Sequence, residues 1–236
     1  IDRFSLWEID TCSNLHEVDD TIILAGHAFS VSLCPFGYDV DALIGLLTPE
    51  RRAKARRYLL KEDKIRCVLS GILLNQVLGK LMTDNFVPIL MEAVAPLFPA
   101  FNLSHGGKYV ALAVGDPAIG VDVEPIASGV DVVIPLVCTT DEAAWVHASE
   151  ERFTLLWTQK ESISKAIGKG LNLAPDRFSI LPLDEHVHHI DGFVVSVNSW
   201  KFDGHIIPCA TIGTDFPDEL VKLDIKQLVD CFLALN

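Results

Sequence analysis

An α+β architecture is what this sequence predicts, because strand-length and helix-spaced apolar runs interleave along its 236 residues. The stretches 110–114 and 193–197 are short, nearly unbroken apolar runs of strand length. By contrast, Ile65, Leu69, Ile72, Leu73, Gln76 and Val77 fall at the three- and four-residue steps of a single helix face. Half of the residues are hydrophobic and 22% are charged, a balance that supports a packed core and excludes a disordered chain. The length suits one large domain or two small ones.

Taken in order, Thr21-Ile22-Ile23-Leu24 and residues 29–33 read as early strands, and 43–47 as a short helix. Thr48 offers an N-cap with Pro49 at the first helical position, so a basic, surface-lying helix begins there. Lys61-Glu62-Asp63-Lys64 leads into a second helix that fades near Gly79. Residues 83–100, with Pro88, Pro96 and Pro99, read mainly as loop. Strand patterns return at 101–103 and 109–114. Gly115-Asp116-Pro117 then reads as the turn of a hairpin leading to a strand at 120–124. After an irregular 126–135, a helix at 140–147 is capped by Thr139 or Thr140, and a longer one at 152–167 stops at Gly168. Strands are expected at 177–181, 193–200 and 206–212, and a terminal helix over 218–235. His186, His188 and His189 alternate as metal ligands can, but their loop-like, acid-flanked setting reads better as solvated histidines.

Charge is distributed unevenly. The net charge is −13, yet Arg51 to Arg66 holds eight basic residues (51, 52, 54, 56, 57, 61, 64 and 66) against Glu62 and Asp63, a local +6. The remainder carries 11 basic and 30 acidic side chains, or −19, which argues against a nucleic-acid binder. It argues instead for one anionic ligand or acidic partner docked at a defined place. No apolar run approaches the roughly 20 residues that span a bilayer, so no membrane is expected. Ile1-Asp2-Arg3-Phe4 does not begin a secretory leader, and the six cysteines (12, 34, 67, 138, 209 and 231) form no CxxC or close pair. A cytoplasmic protein with reduced, mostly buried thiols is the expectation.

Two stretches carry chemistry. In Gly120-Val121-Asp122-Val123-Glu124, strand alternation sends both carboxylates to one face. In the helix from Trp157 to Lys165, Glu161 and Lys165 are four apart and share a face. Alone, paired acids on an exposed strand are commonplace, and an i,i+4 pair contributes a few tenths of a kcal/mol. If strand and helix pack together, three carboxylates and an ammonium meet, and a hard divalent cation with oxygen ligands is the natural occupant. A cation and lysine so placed suit a pyrophosphate.

The pattern G-V-D-V-E followed by W-T-Q-K-E-S-I-S-K resembles the signature of the 4′-phosphopantetheinyl transferases, in particular the larger two-lobed kind similar to the surfactin-synthetase activating enzyme. Thr48-Pro49-Glu50-Arg51, Phe101-Asn102-Leu103-Ser104-His105-Gly106-Gly107 and Gly168-Lys169-Gly170-Leu171 agree in the expected order, so the resemblance runs from about 47 to 180 and extends toward the end. It implies a pseudo-twofold pair of similar lobes, each a small mainly antiparallel sheet packed with helices: 1–116 and 117–236, with the site between them. It further implies a cytoplasmic, monomeric enzyme that transfers 4′-phosphopantetheine from coenzyme A to a serine of an acyl or peptidyl carrier protein, releasing 3′,5′-ADP. Within that resemblance Arg51, Lys54 and His105, with Ser104 and Arg66, hold coenzyme A phosphates. Asp122, Glu124 and Glu161 bind Mg²⁺ or Mn²⁺, and Lys165 faces the pyrophosphate. Lys160 approaches the substrate, and Glu161 or a metal-bound hydroxide deprotonates the serine.

Two departures stand out. Relatives carry a Gly-Lys-Pro segment ahead of F-N-x-S-H that serves adenine, whereas this chain has Pro88 to Pro96 without it, and Gly106 replaces a common serine. The first departure supports an alternative, a non-catalytic coenzyme A-binding or carrier-docking module. Transfer to an apo-carrier discriminates between the two.

Overall fold

The computed structural model describes residues 27–33, 37–81, 100–115, 118–147, 149–215 and 219–235. In chain order these form β1 (His27–Ser32), α1 (Val40–Leu46), α2 (Pro49–Arg57), α3 (Lys61–Leu81), β2 (Ala100–Gly106), β3 (Tyr109–Gly115), β4 (Ile119–Val121) and β5 (Glu124–Pro125). There follow α4 (Ile134–Val137), α5 (Thr140–Val146), α6 (Glu150–Ile167), β6 (Val187–Ile190), β7 (Phe193–Phe202), β8 (His205–Ile212), β9 (Leu220–Leu223) and α7 (Ile225–Ala234).

Local chemistry sets the helix ends. The Thr48 hydroxyl accepts from Arg51 N–H with Pro49 in the first turn, as the sequence predicts. Thr139 and Glu142 form a reciprocal capping box on α5. The Ser149 hydroxyl accepts from Arg152 N–H to start α6, and Gly168 ends it at φ 78°, a conformation glycine adopts without strain.

Two sheets form the frame, ordered β2-β3-β1-β9 and β4-β8-β7-β6, with β5 also on β8. β3 explains how they stack. Its Val110, Leu112 and Val114 pack into a core with Val68, Leu69 and Ile72 of α3. Its alternate Ala111 and Ala113 meet Ile119, Val121, Val123, Ile207 and Cys209 of the second sheet. Alanines there let the sheets approach closely, and burial of both faces accounts for the unbroken apolar run. On the far side of the second sheet, Val195, Val197 and Ala210 pack against Phe153, Leu156, Ile163 and Ala166 of α6.

Several expectations need correction. β3 and β4 are not a hairpin: β3 pairs with β1 and β2, whereas β4 pairs with β8, so the chain changes sheets between them. The strand expected at 177–181 does not form, because the Ile180 N–H donates to buried Glu142 and the Phe178 carbonyl accepts from Lys160. The histidine segment is a strand turning through Asp191-Gly192, both at positive φ, a hairpin signal the reading passed over. His188 is therefore buried rather than solvated. The single terminal helix is instead β9 followed by α7, capped by Asp224. β9 runs parallel to β1, and Ile225, Leu228, Val229 and Phe232 join the α3 core, so 220–235 pack with the first sheet and α3. The strand expected at 21–24, residues 88–96, Cys12 and Cys34 lie outside the described residues. The cysteines at 67, 138, 209 and 231 are buried, and no helix among the described residues is long and apolar enough to cross a membrane.

Candidate active site

The strand read at 120–124 is interrupted, and Pro208 explains why. Val121 pairs with Cys209 and Glu124 with Ile206, so the register is continuous through the gap. Asp122 N–H donates to the Pro208 carbonyl at 3.2 Å, but proline has no N–H to return the bond. Alternation therefore survives. Val121 and Val123 face the other sheet, while Gly120 and Asp122 face α6. Gly120 makes that approach possible: a Cβ on it would stand 2.0 Å from the Ser162 carbonyl oxygen and 2.6 Å from Ala166 N.

The close packing brings Lys165 onto the motif strand. Its ammonium donates to Asp122 Oδ1 at 2.8 Å, to the Val121 carbonyl at 3.1 Å and to Ser104 Oγ at 3.3 Å. Asp122 is buried, and Glu124 and Glu161 are half-buried. Burial first, then the Asp122 charge, push the Glu124 carboxyl up to about 7, against the opposing pull of Lys165. Glu161 is raised by burial and by Asp122, again opposed by Lys165. Among the described residues no three His, Cys, Asp or Glu side chains are grouped so that they could hold a metal ion. The donor set nonetheless fits a hard divalent cation in kind: it is three carboxylates, and the Asp122 charge raises the pKa of both Glu124 and Glu161 against the opposing pull of Lys165.

β2 runs past the free edge of β4 and supplies the other wall. Its alternate residues Asn102, Ser104 and Gly106 face that edge. Asn102 Oδ1 accepts from Val121 N–H at 3.0 Å, and Ser104 Oγ donates to Asp122 Oδ1 at 2.8 Å. Gly106 lies so close that a Cβ would stand 2.0 Å from the Val123 carbonyl oxygen, so the serine common at this position has no room here. His105 turns to the opposite face, where burial first, and then the charges of Arg66 and Lys54, lower its pKa. The expected Ser104–His105 pair is thus divided between carboxylates and cations. Arg66 is anchored by Asp63 at 2.6 Å and by the Gly107 carbonyl at 3.0 Å. The Arg51 stem crosses Gly71 of α3, where a Cβ would come within 2.5 Å of its Cδ. Neither Arg51 nor Lys54 has a salt-bridge partner among the described residues.

Lys160 stands elsewhere, and its expected approach to a substrate is corrected. Its ammonium is buried and bonded to Glu142 and to the carbonyls of Val137, Pro175 and Phe178. Four protein partners satisfy it, and it organises the α5–α6 core. Sequence reasoning passed over Asn102, Gly120 and Glu142. The glycine opens the motif, the asparagine sits two residues before Ser104, and the Thr-x-x-Glu spacing marks Glu142 as a capping-box residue.

This two-sheet frame, with acids, a lysine and a separate cation cluster along the seam between sheets, defines an α+β protein suited to a polyanionic ligand. A family model for the 4′-phosphopantetheinyl transferase superfamily matches residues 118–210. The chain is 30% identical over 212 residues to the 4′-phosphopantetheinyl transferase ffp of Bacillus subtilis, covering 81% of this chain and 93% of that one. To a second 4′-phosphopantetheinyl transferase of Bacillus subtilis it is 32% identical over 161 residues, 62% of this chain and 72% of the relative. To 4′-phosphopantetheinyl transferase Sfp of Bacillus subtilis strain 168 it is 26% identical over 215 residues, 80% and 92% of the two chains. The chain belongs to the 4′-phosphopantetheinyl transferase superfamily.

Proposed function

We propose that this protein transfers the 4′-phosphopantetheine group of coenzyme A to a serine hydroxyl of an acyl or peptidyl carrier protein, releasing 3′,5′-ADP. The observation that carries the reading is the junction of Lys165, Asp122 and Ser104, where α6, β4 and β2 meet within hydrogen-bond distance. His105, with the Arg66 and Lys54 cations beside it, stands across β2 from it.

In this reading His105, Lys54, Arg66 and Arg51 hold the 3′-phosphate, charge-assisted contacts that fix one end of the ligand. Asp122, Glu124 and Glu161 would hold a Mg²⁺ or Mn²⁺ ion, which when bound supplies charge neutralisation on the pyrophosphate. Lys165 adds a cation at the oxygens that gain charge as the diphosphate bond breaks. In the role alternative to third metal ligand, Glu161 takes the serine proton as general base. The serine oxygen bonds the β-phosphorus while the bond to the bridging oxygen of 3′,5′-ADP breaks. Positioning and charge neutralisation supply most of the rate.

The remaining cations of α2 and the start of α3 form a docking face for an acidic carrier. A cytoplasmic monomer with lobes related by a pseudo-twofold axis, and without nucleic-acid or membrane partners, completes the reading. Incubation with coenzyme A, Mg²⁺ and an apo-carrier tests it. A mass gain of one phosphopantetheine group on the carrier serine supports transfer, and coenzyme A binding without that gain supports the non-catalytic module. That alternative draws on residues 88–96, which lie outside the described residues, and no described contact favours it.

A further inference from the structure

The two sheets are joined at one end of the site by a contact between two hairpin turns. The first turn, Gly107-Lys108, links β2 to β3. The second, Asp203-Gly204, links β7 to β8 and holds both residues at positive φ, the conformation of a tight two-residue hairpin. Lys108 N–H donates to His205 Nε2 at 3.4 Å, and His205 Nδ1 bonds the Asp203 carbonyl at 2.8 Å. Tyr109 Oη donates to Asp203 Oδ2 at 2.8 Å, and the Lys108 ammonium pairs with the same carboxylate at 2.5 Å. The Tyr109 ring stands edge-on to both His205 and Phe202, with centroids 4.8 and 5.0 Å away. Gly107 fits only because it lacks a side chain, since a Cβ there would lie 2.2 Å from His205 Nε2.

This clasp touches both halves of the site. The Gly107 carbonyl accepts from Arg66 Nε, and the turn follows His105 directly in sequence, so one side of the clasp carries the cation cluster. On the other side the His205 backbone pairs with Pro125, its neighbour Ile206 pairs with Glu124, and Ile126 N–H donates to the Gly204 carbonyl at 2.8 Å. His205 is buried, with both ring nitrogens engaged. None of its contacts is to a residue proposed to touch substrate.

We infer that His205, with Asp203, is a positioning residue that sets the placement of the phosphate-binding cations relative to Glu124, and hence the alignment of the diphosphate for transfer. The inference rests on the transfer reading above. A displacement on the order of 1 Å between the halves of such a site lowers turnover about 100-fold. The cations themselves, and so the affinity for coenzyme A, remain.

The test compares the full chain with His205→Leu, which keeps apolar bulk but removes the acceptor for Lys108 N–H, and with His205→Gln, which restores an acceptor. His205→Leu is expected to lower kcat by on the order of 10- to 100-fold, with the coenzyme A dissociation constant moving less than about 3-fold, and His205→Gln to recover most of the loss. Amide hydrogen exchange without ligand should accelerate in residues 102–108 and 121–126 of His205→Leu and nowhere in the α6 core. Unchanged kcat in folded His205→Leu, or unchanged exchange in both segments, overturns the inference. If the wild-type protein transfers nothing, the functional reading falls, and the exchange comparison still decides the clasp.

Discussion

Gly120 of β4 lies against the carbonyl of Ser162 in α6 so closely that an added Cβ would stand 2.0 Å from that oxygen. This contact sets the distance between the strand that carries Asp122 and the helix that carries Lys165. Gly120→Ala must push strand and helix apart, at a stability cost of about 1–3 kcal/mol for overpacking. Transfer should fall by on the order of 100-fold beyond what the folded fraction explains. Urea unfolding and transfer kinetics on the same preparation check both halves of the expectation.

The buried Lys160–Glu142 pair predicts a different pattern. Removing the lysine alone leaves a carboxylate at 0% exposure without its cation. Lys160→Met should therefore destabilise by about 3–5 kcal/mol. The double variant Lys160→Met, Glu142→Leu should lose less than the two single variants combined, since no charge is then stranded. Some loss remains, because Glu142 also accepts from Thr139 N–H and Ile180 N–H. A double-mutant cycle from chemical denaturation measures the coupling.

Lys54 has no salt-bridge partner among the described residues and, after burial and Arg66, lowers the pKa of His105. Lys54→Ala should weaken coenzyme A binding by about 1.5–3 kcal/mol, the range for a hydrogen bond to a charged group. Binding of dephospho-coenzyme A, which lacks the 3′-phosphate, should barely change. Calorimetric titration with both ligands reads the difference, and equal losses for the two would remove Lys54 from the 3′-phosphate.

Thiol chemistry offers a check on the core. Burial pushes the Cys138 thiol up to about 11 against a smaller opposing pull from Lys160, and burial raises Cys209 as well. A raised thiol pKa means less thiolate at a given pH, so native protein treated with iodoacetamide at pH 8 should keep both cysteines unmodified. Reactivity at Cys138 should climb only as pH approaches 11, provided the fold persists. Peptide mass mapping at a series of pH values follows each thiol separately.

How much of this was legible in the letters varied with the range of the interaction. Caps and period are local, so Thr48-Pro49, the α3 stripe of Ile65, Leu69, Ile72 and Leu73, and the Gly168 stop all read directly. The sharing of one face by Asp122 and Glu124 also read correctly, although Pro208, 86 positions beyond Asp122, interrupts the strand. Sheet membership did not read, because the transfer of β4 to a second sheet and the return of β9 to the first depend on partners far along the chain. Lys160 misled for a related reason. Its place beside Glu161 in the motif suggested the cleft, but one helical step rotates it by about 100°, into the core beside Glu142.

The most direct test replaces Asp122, the carboxylate on which β2, β4 and α6 converge, with asparagine, keeping shape and removing charge. Mass spectrometry of an apo-carrier incubated with coenzyme A, Mg²⁺ and the variant should show phosphopantetheine addition slowed by on the order of 1,000-fold or more, with the melting transition still cooperative. Addition at a rate close to that of the wild-type protein would contradict the account.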